Sequence, residues 1–185
     1  AALIFGGESY ENPNNKDEFF EKAQARADQL RKAGTYGKDV YAIKAYTTEA
    51  FQNALKEYKD IDLIEYYGHG DSGYLYLGTV PNSELTAENK AEMKKNGWNN
   101  MRYSITNEQK DIYKTTSDMF VSDLYTGNTD SNTLINLYSC GATFGGWGEN
   151  GSIGGAFSFY FGVPVYGSNG SVHYDGIEPY TPWYW

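Results

Sequence analysis

The chain has 185 residues, of which 40% are hydrophobic and 21% are charged, so it is long enough and apolar enough to fold around one core. Its formal net charge of −9 argues against a nucleic-acid partner, because phosphate binding needs clustered Lys and Arg. No apolar run approaches the ~20 residues that a membrane-spanning helix needs, and the single cysteine excludes a disulfide within the chain.

Aromatic residues make up 17% of the chain, with 18 Tyr and 4 Trp beside 21 Gly. This mixture is typical of secreted and surface proteins, in which amphipathic rings lie on tightly turned chain. We therefore expect an extracellular or cell-surface protein. A strand pattern that begins at Ala2 and an aromatic end at Trp185 also favour a domain taken from a longer protein.

The first 46 residues predict a strand, a helix and a second strand. Residues 2–5 are apolar, and Asn15 with Glu18 three residues later has the pattern of a capping box. Gly34 is placed to end the helix, and residues 39–46 predict the second strand. The apolar residues of the helix recur at helical spacing: Phe19, Phe20, Ala23, Ala27 and Leu30.

A second helix and a third strand follow. Thr47 or Thr48 is the expected N-cap of the helix. The third strand begins at residue 61 and ends at His69. This β-α-β-α-β order predicts right-handed crossovers and a parallel sheet with helices on both faces. One face of the second helix is expected to be apolar: Phe51, Ala54, Leu55 and Tyr58.

The pattern changes after the third strand. Residues 70–73 predict a turn, and residues 74–78 predict a short strand or hairpin. Segment 79–131 is polar and rich in Asn, and we expect a helical insertion there. One helix is expected over about residues 86–96 and a second from Thr106 to Gly127. The second helix would direct four apolar residues inward: Ile112, Met119, Phe120 and Leu124.

The core pattern returns with an apolar strand that starts at residue 134 and ends at Cys140. A Gly-rich loop over residues 141–151 leads to a helix near 153–161, and residues 163–167 predict a last core strand. Because no linker divides the sequence, we expect residues 1–185 to form one α/β domain. Its predicted core is a mostly parallel sheet of order 2-1-3-4 between helices, in which the strands ending at His69 and Cys140 are neighbours.

These two strand ends carry the candidate chemistry. His69 is one of two histidines, Cys140 is the only cysteine, and each is followed by glycine. In open α/β sheets ligands bind at the carboxyl ends of the strands. A thiol and an imidazole at this edge predict a nucleophile and its base. Gly70 and Gly141 leave room for a substrate carbonyl to approach backbone N–H groups.

Each of these residues also has a structural interpretation. A lone cysteine such as Cys140 is commonly a small buried apolar residue, and a histidine such as His69 is commonly a turn or core residue. His173 is the alternative base, although its loop position predicts a surface residue. Asp71 either orients His69, reads a basic substrate side chain or is a plain turn residue. With one cysteine and two histidines, neither a zinc site nor another cofactor is expected.

The two motifs resemble those of the caspase-like cysteine peptidases, which include caspases, gingipain, clostripain, separase, CHAT domains and the self-processing domains of bacterial toxins. Residues 67–70 (YGHG) are similar to the histidine motif, and residues 137–141 (LYSCG) are similar to the bacterial form of the cysteine motif. This chain has YSC where many members have an acidic residue, Ala and Cys. Residues 152–157 and 162–168 are similar to the continuation seen in CHAT domains.

The resemblance implies a caspase-like three-layer fold and a cysteine endopeptidase. Cys140 would be the nucleophile that forms a thioester, His69 the general base or acid, and the backbone N–H groups of Gly70 and Cys140 the oxyanion donors. The implied partner is a polypeptide substrate. Several bacterial members of the family cleave their own chain, and others act as secreted or delivered effectors. The expected substrate-binding residues are Asp71, Ser168, Asn169, Gly170 and Ser171.

Two other functions fit the sequence. One is a catalytically inactive module on the same fold, whose tyrosine-rich surface binds protein or glycan and whose Cys140 is merely packed. The other is a different hydrolase built on a doubly wound sheet.

Overall fold

The computed structural model describes residues 1–9, 12, 14–79, 87, 102–106, 119–144 and 151–168. In chain order its elements are β1 (Ala2–Gly6), α1 (Glu18–Ala33), β2 (Val40–Lys44), α2 (Thr48–Glu57), β3 (Ile61–Tyr67), β4 (His69–Asp71), β5 (Tyr74–Thr79), β6 (Arg102–Thr106), β7 (Met119–Phe120), a 3-10 turn (Val121–Asp123), β8 (Thr129–Tyr138), α3 (Ile153–Phe161) and β9 (Val165–Gly167).

Five parallel strands form the central sheet, in the order β2-β1-β3-β8-β9. The predicted α/β class and the predicted 2-1-3-4 order of the core strands are confirmed, with β8 in the fourth place. The order follows from right-handed crossovers, which return each strand parallel to the one before it. As a result β3 and β8, the strands that lead to His69 and Cys140, lie side by side.

Helices cover both faces of this sheet, as the element order predicts. On one face α1 packs through Phe19, Ala23, Ala27 and Leu30 against alternate residues of the strands. On the other face α2 and α3 enclose the larger apolar cluster, in which Phe5 stacks on Phe51 with ring centroids 4.0 Å apart. β1 supplies both clusters because successive side chains of a strand point to opposite faces.

Most of the helix ends lie at the residues predicted from the sequence. Thr47 is the N-cap of α2, and its hydroxyl accepts a hydrogen bond from Ala50 N–H. Gly34 ends α1 at φ +75°, a left-handed conformation that glycine adopts without strain. The capping box predicted for Asn15 is wrong, because the N-cap of α1 is Asp17, two residues later. The Asn15 side chain instead accepts from Asp17 N–H within the preceding turn.

The predicted helix near residues 153–161 is confirmed by α3, which ends at Gly162 with φ +68°. β9 then completes the described part of the central sheet. None of the helices within the described ranges has the length and apolar character needed to cross a membrane.

His69 does not end the third strand, as predicted, but begins a second sheet. β3 stops at Tyr67, and after Gly68 the chain turns into β4, which pairs with β5 as an antiparallel hairpin. A glycine is needed at this turn, because the Tyr66 hydroxyl occupies the space that a side chain at position 68 would need. The hairpin predicted near residues 74–78 is therefore confirmed, and it carries His69.

Segment 79–131 contains strands where a helix was predicted. β6 pairs antiparallel with β5, and Met119 and Phe120 form β7, which pairs parallel with β6. Thr106 is the last residue of β6, and the predicted helix is wrong over residues 119–124, where β7 and a 3-10 turn lie. Residues 107–118 lie outside the described residues. Tyr and Leu alternate along β5, a pattern that favours a strand. The unpaired N–H and C=O groups along the edge of this strand bind β6 as a neighbour. Ile112 and nearly all of the predicted 86–96 helix lie outside the described residues.

Candidate active site

The register between β3 and β8 places His69 and Cys140 at equivalent positions. Tyr67 pairs with Tyr138 as the last matched residues of the two parallel strands. His69 and Cys140 each follow two residues later, beyond the carboxyl ends of adjacent strands. This edge of an open parallel sheet is where ligands bind in α/β folds. The structure thus brings together the backbone segments that carry the predicted thiol and imidazole.

The imidazole lies on the α1 side of the sheet. Tyr67 and Tyr138 both face α1, and their rings are 4.8 Å apart. The His69 ring meets the ring of Phe19 of α1 edge to face, with centroids 4.9 Å apart. Cys140 is partly exposed and not fully buried, so its thiol is not simply a packed core atom.

The segments after β3 and β8 continue side by side beyond the sheet. Gly70 lies so close to Ser139 that a Cβ at position 70 would come within 2.8 Å of the serine Oγ. Gly141 has φ +64°, and its Cβ position is 3.4 Å from the backbone nitrogen of Ser72. Cys140 stands between these two contacts. The glycines therefore allow the hairpin with His69 and the loop with Cys140 to approach each other directly.

The first N–H groups of α3 hold both segments. Ile153 N–H donates to Ser72 O at 2.5 Å, and Gly154 N–H donates to Ala142 O at 2.7 Å. The first N–H groups of a helix have no acceptor inside the helix, so these carbonyls satisfy them. Ser152 caps the same helix by accepting from Gly155 N–H. One helix end thus fixes the spacing between the His69 and Cys140 segments, a contact that sequence patterns do not reveal.

The hairpin pairing determines the direction of the Gly70 N–H group. Asp71 pairs with Tyr74 beside the two-residue turn. Such a turn is closed by a hydrogen-bonded pair, and the two kinds of pair alternate along an antiparallel ladder. Gly70 and Leu75 consequently form a non-hydrogen-bonded pair, which directs the Gly70 N–H away from β5. An N–H so directed is the kind of donor that the sequence analysis expects at position 70.

A buried ion pair lies on the α1 side of the sheet, and its carboxylate belongs to Glu65, two residues before the end of β3. Glu65 is fully buried, and its carboxylate accepts from Arg26 Nε at 3.0 Å and from Nη2 at 3.1 Å. Asn136 Nδ2 and the Tyr67 hydroxyl also donate to it, at 3.2 and 3.3 Å. Burial and then the Glu65 charge raise the pKa of Tyr67, so its hydroxyl stays protonated. Sequence reasoning missed this cluster, although an acidic residue inside an apolar strand is a signal for it.

Two further hydroxyls close to Cys140 are buried. Ser139 Oγ and Thr143 Oγ1 have no hydrogen-bond partner among the described residues. A buried hydroxyl without a partner costs about 1–3 kcal/mol of stability. Natural structures keep few such groups, and these two flank the predicted nucleophile.

The predicted substrate-binding residues have different positions. Asp71 is exposed, and its Oδ1 accepts from Ser72 N–H at 2.7 Å, the local contact of a turn aspartate. Ser168 is buried at the end of β9, where its carbonyl accepts from Thr143 N–H at 3.1 Å. It therefore adjoins the loop after Cys140 but presents little surface. Asn169, Gly170, Ser171 and the alternative base His173 lie outside the described residues.

No group of three or more His, Cys, Asp or Glu side chains with the geometry of a metal site occurs in the described part of the chain. Comparison of the chain with protein-family models, with curated proteins and with solved structures gave no match. Function is therefore inferred from the chemistry of the site.

Proposed function

We propose that this chain is a cysteine endopeptidase of caspase-like fold, in which Cys140 is the nucleophile and His69 is the general base. The observation that carries the proposal is the register of β3 and β8, which gives the two residues equivalent positions at the carboxyl edge of adjacent strands. The only cysteine of the chain and one of its two histidines occupy these positions. The strand order agrees with what the caspase-like resemblance implies.

The reaction needs only these two side chains and backbone N–H groups. His69 accepts the Cys140 thiol proton, and the sulfur adds to the carbonyl carbon of the scissile peptide bond. The carbonyl oxygen becomes an oxyanion that accepts hydrogen bonds from the N–H groups of Gly70 and Cys140. Collapse of this intermediate breaks the C–N bond, and His69 returns its proton to the leaving amine. Water then hydrolyses the thioester and frees the thiol.

Three features of the site support this chemistry. The N-terminus of α3 holds the segments of His69 and Cys140 at a constant spacing through the carbonyls of Ser72 and Ala142. Fixed spacing matters because catalysis depends on reacting groups held in the attack geometry. The absence of side chains at Gly70 and Gly141 lets the segments of His69 and Cys140 approach each other closely, and Cys140 is partly exposed.

The substrate is a polypeptide, and we include the chain itself among the candidates, as for a self-processing domain or a secreted or delivered bacterial effector. No cofactor takes part in the proposed reaction. The residues proposed beside the substrate are Asp71, which is exposed next to Gly141, and Ser168 at the end of β9.

The experiment is a cleavage assay with a pool of peptides of diverse sequence, followed by mass spectrometry of both the peptides and the protein. We expect new peptide termini with the wild type and none with Cys140→Ala. An acyl adduct on Cys140 should be trapped when the reaction is quenched in acid. Equal cleavage by Cys140→Ala would exclude Cys140 as the nucleophile. No cleavage by either protein would favour the binding module on the same fold.

A further inference from the structure

A buried tyrosine hydroxyl lies directly beneath the hairpin that carries His69. Tyr66 is fully buried in β3, and its hydroxyl is 3.0 Å from His69 O and 2.8 Å from Tyr76 O. Two glycines leave space for this hydroxyl. A Cβ at Gly7 would lie 2.9 Å from it, and a Cβ at Gly68 would collide with it. The hydroxyl is thus enclosed at the point where the chain leaves the central sheet.

The contact with His69 O acts on the next residue through the peptide plane. The carbonyl of His69 and the N–H of Gly70 belong to one planar trans peptide, so they point in opposite directions. Holding the carbonyl on the Tyr66 side therefore holds the N–H on the other side. The pairing of β4 with β5 already directs this peptide, and the Tyr66 hydroxyl adds a second contact to the same carbonyl.

We propose that Tyr66 is a positioning residue, whose hydroxyl orients the His69–Gly70 peptide so that the Gly70 N–H faces the oxyanion. This inference rests on the proposed function. An oxyanion donor is effective when it already points to the place where charge develops. The Tyr66 hydroxyl reinforces the orientation given by the β4–β5 pairing, from the opposite face of the sheet and without contact with substrate.

Two reagents separate the orientation of Gly70 from the reactivity of Cys140. p-Nitrophenyl acetate acylates a thiol: the S–C bond forms, the thiol proton passes to His69, an oxyanion develops, and the bond to p-nitrophenolate breaks. Iodoacetamide alkylates the same thiol by displacement of iodide, and no oxyanion develops. Because Cys140 is the only cysteine, the difference between each rate and that of Cys140→Ala reports on this one thiol.

The test compares both rates in the wild type, in Tyr66→Phe and in Tyr41→Phe. The control loses a hydroxyl that bonds to Asp39 at the far edge of the sheet. We expect Tyr66→Phe to slow acylation about tenfold and alkylation less than about twofold, since only acylation needs the oxyanion donor. We expect Tyr41→Phe to leave both rates unchanged.

Both rates are measured on the folded protein, with the unfolded fraction determined by circular dichroism, because the cysteine of an unfolded chain also reacts with both reagents. Equal loss in both reactions, or no loss in either, would overturn the positioning role of Tyr66. A separate variant, His69→Ala, tests the proposed function: rates that match the wild type with both reagents would refute the His69–Cys140 pair itself.

Discussion

Replacement of His69 by alanine is expected to lower kcat/KM for peptide cleavage by about 10²–10⁴-fold, the usual contribution of a general base. The reason is that Cys140 would then have to lose its proton to solvent. The His69 ring also packs against Phe19, so the unfolding free energy of the variant must be measured alongside its activity. Cleavage of the best peptide from the pool, followed by chromatography, gives the rate.

The chain provides a matched control in its second histidine. We expect His173→Ala to retain the rate of the wild type, because His69 is the histidine in register with Cys140. If His173→Ala loses activity while His69→Ala keeps it, the base has been assigned to the wrong residue.

The second large effect concerns stability and the ion pair beneath the site. Arg26→Met should reduce the unfolding free energy by about 3–5 kcal/mol, because it leaves a buried carboxylate without its cation. Glu65 is 0% exposed, whereas the Arg26 side chain is 31% exposed. Burial alone lowers the pKa of Arg26, but the hydrogen bonds and charge of Glu65 outweigh this and raise it. The guanidinium is therefore the partner that keeps the carboxylate inside the fold.

Urea unfolding followed by circular dichroism measures this effect. Asp28→Asn is the control on the same helix, where the exposed pair with Arg31 predicts a loss of about 1 kcal/mol or less. The double variant Arg26→Met with Glu65→Leu should recover much of the stability, since removal of both charges leaves none unpaired. A loss for Arg26→Met no larger than that for Asp28→Asn would show that the buried pair contributes little.

The central sheet could be predicted because its elements are local patterns. The apolar spacing of α1, the cap at Thr47 and the stop at Gly34 are all readable within one element. Chirality then limits the strand order. The local patterns and the handedness of the crossovers were together sufficient to predict that the strands leading to His69 and Cys140 lie side by side.

The features that were missed depend on contacts between distant residues. The pairing of β6 with β7 joins segments that are apart in sequence, and it places Met119 and Phe120 in a strand where a helix was predicted. Arg26 and Glu65 are 39 positions apart, so neither residue alone predicts their ion pair. The strand that was expected to end at His69 stops at Tyr67, because His69 pairs with Tyr76 of β5 in the second sheet.

The rate of Cys140 alkylation by iodoacetamide near pH 7, in the folded wild type and in folded His69→Ala, is the most direct test of the proposed catalytic pair. The thiolate is the reactive form of cysteine, and a neighbouring imidazole increases the amount present. We predict that alkylation of the wild type is at least about tenfold faster than that of the variant. Equal rates in the two proteins would contradict the pair and leave Cys140 as a cysteine without an assisting base.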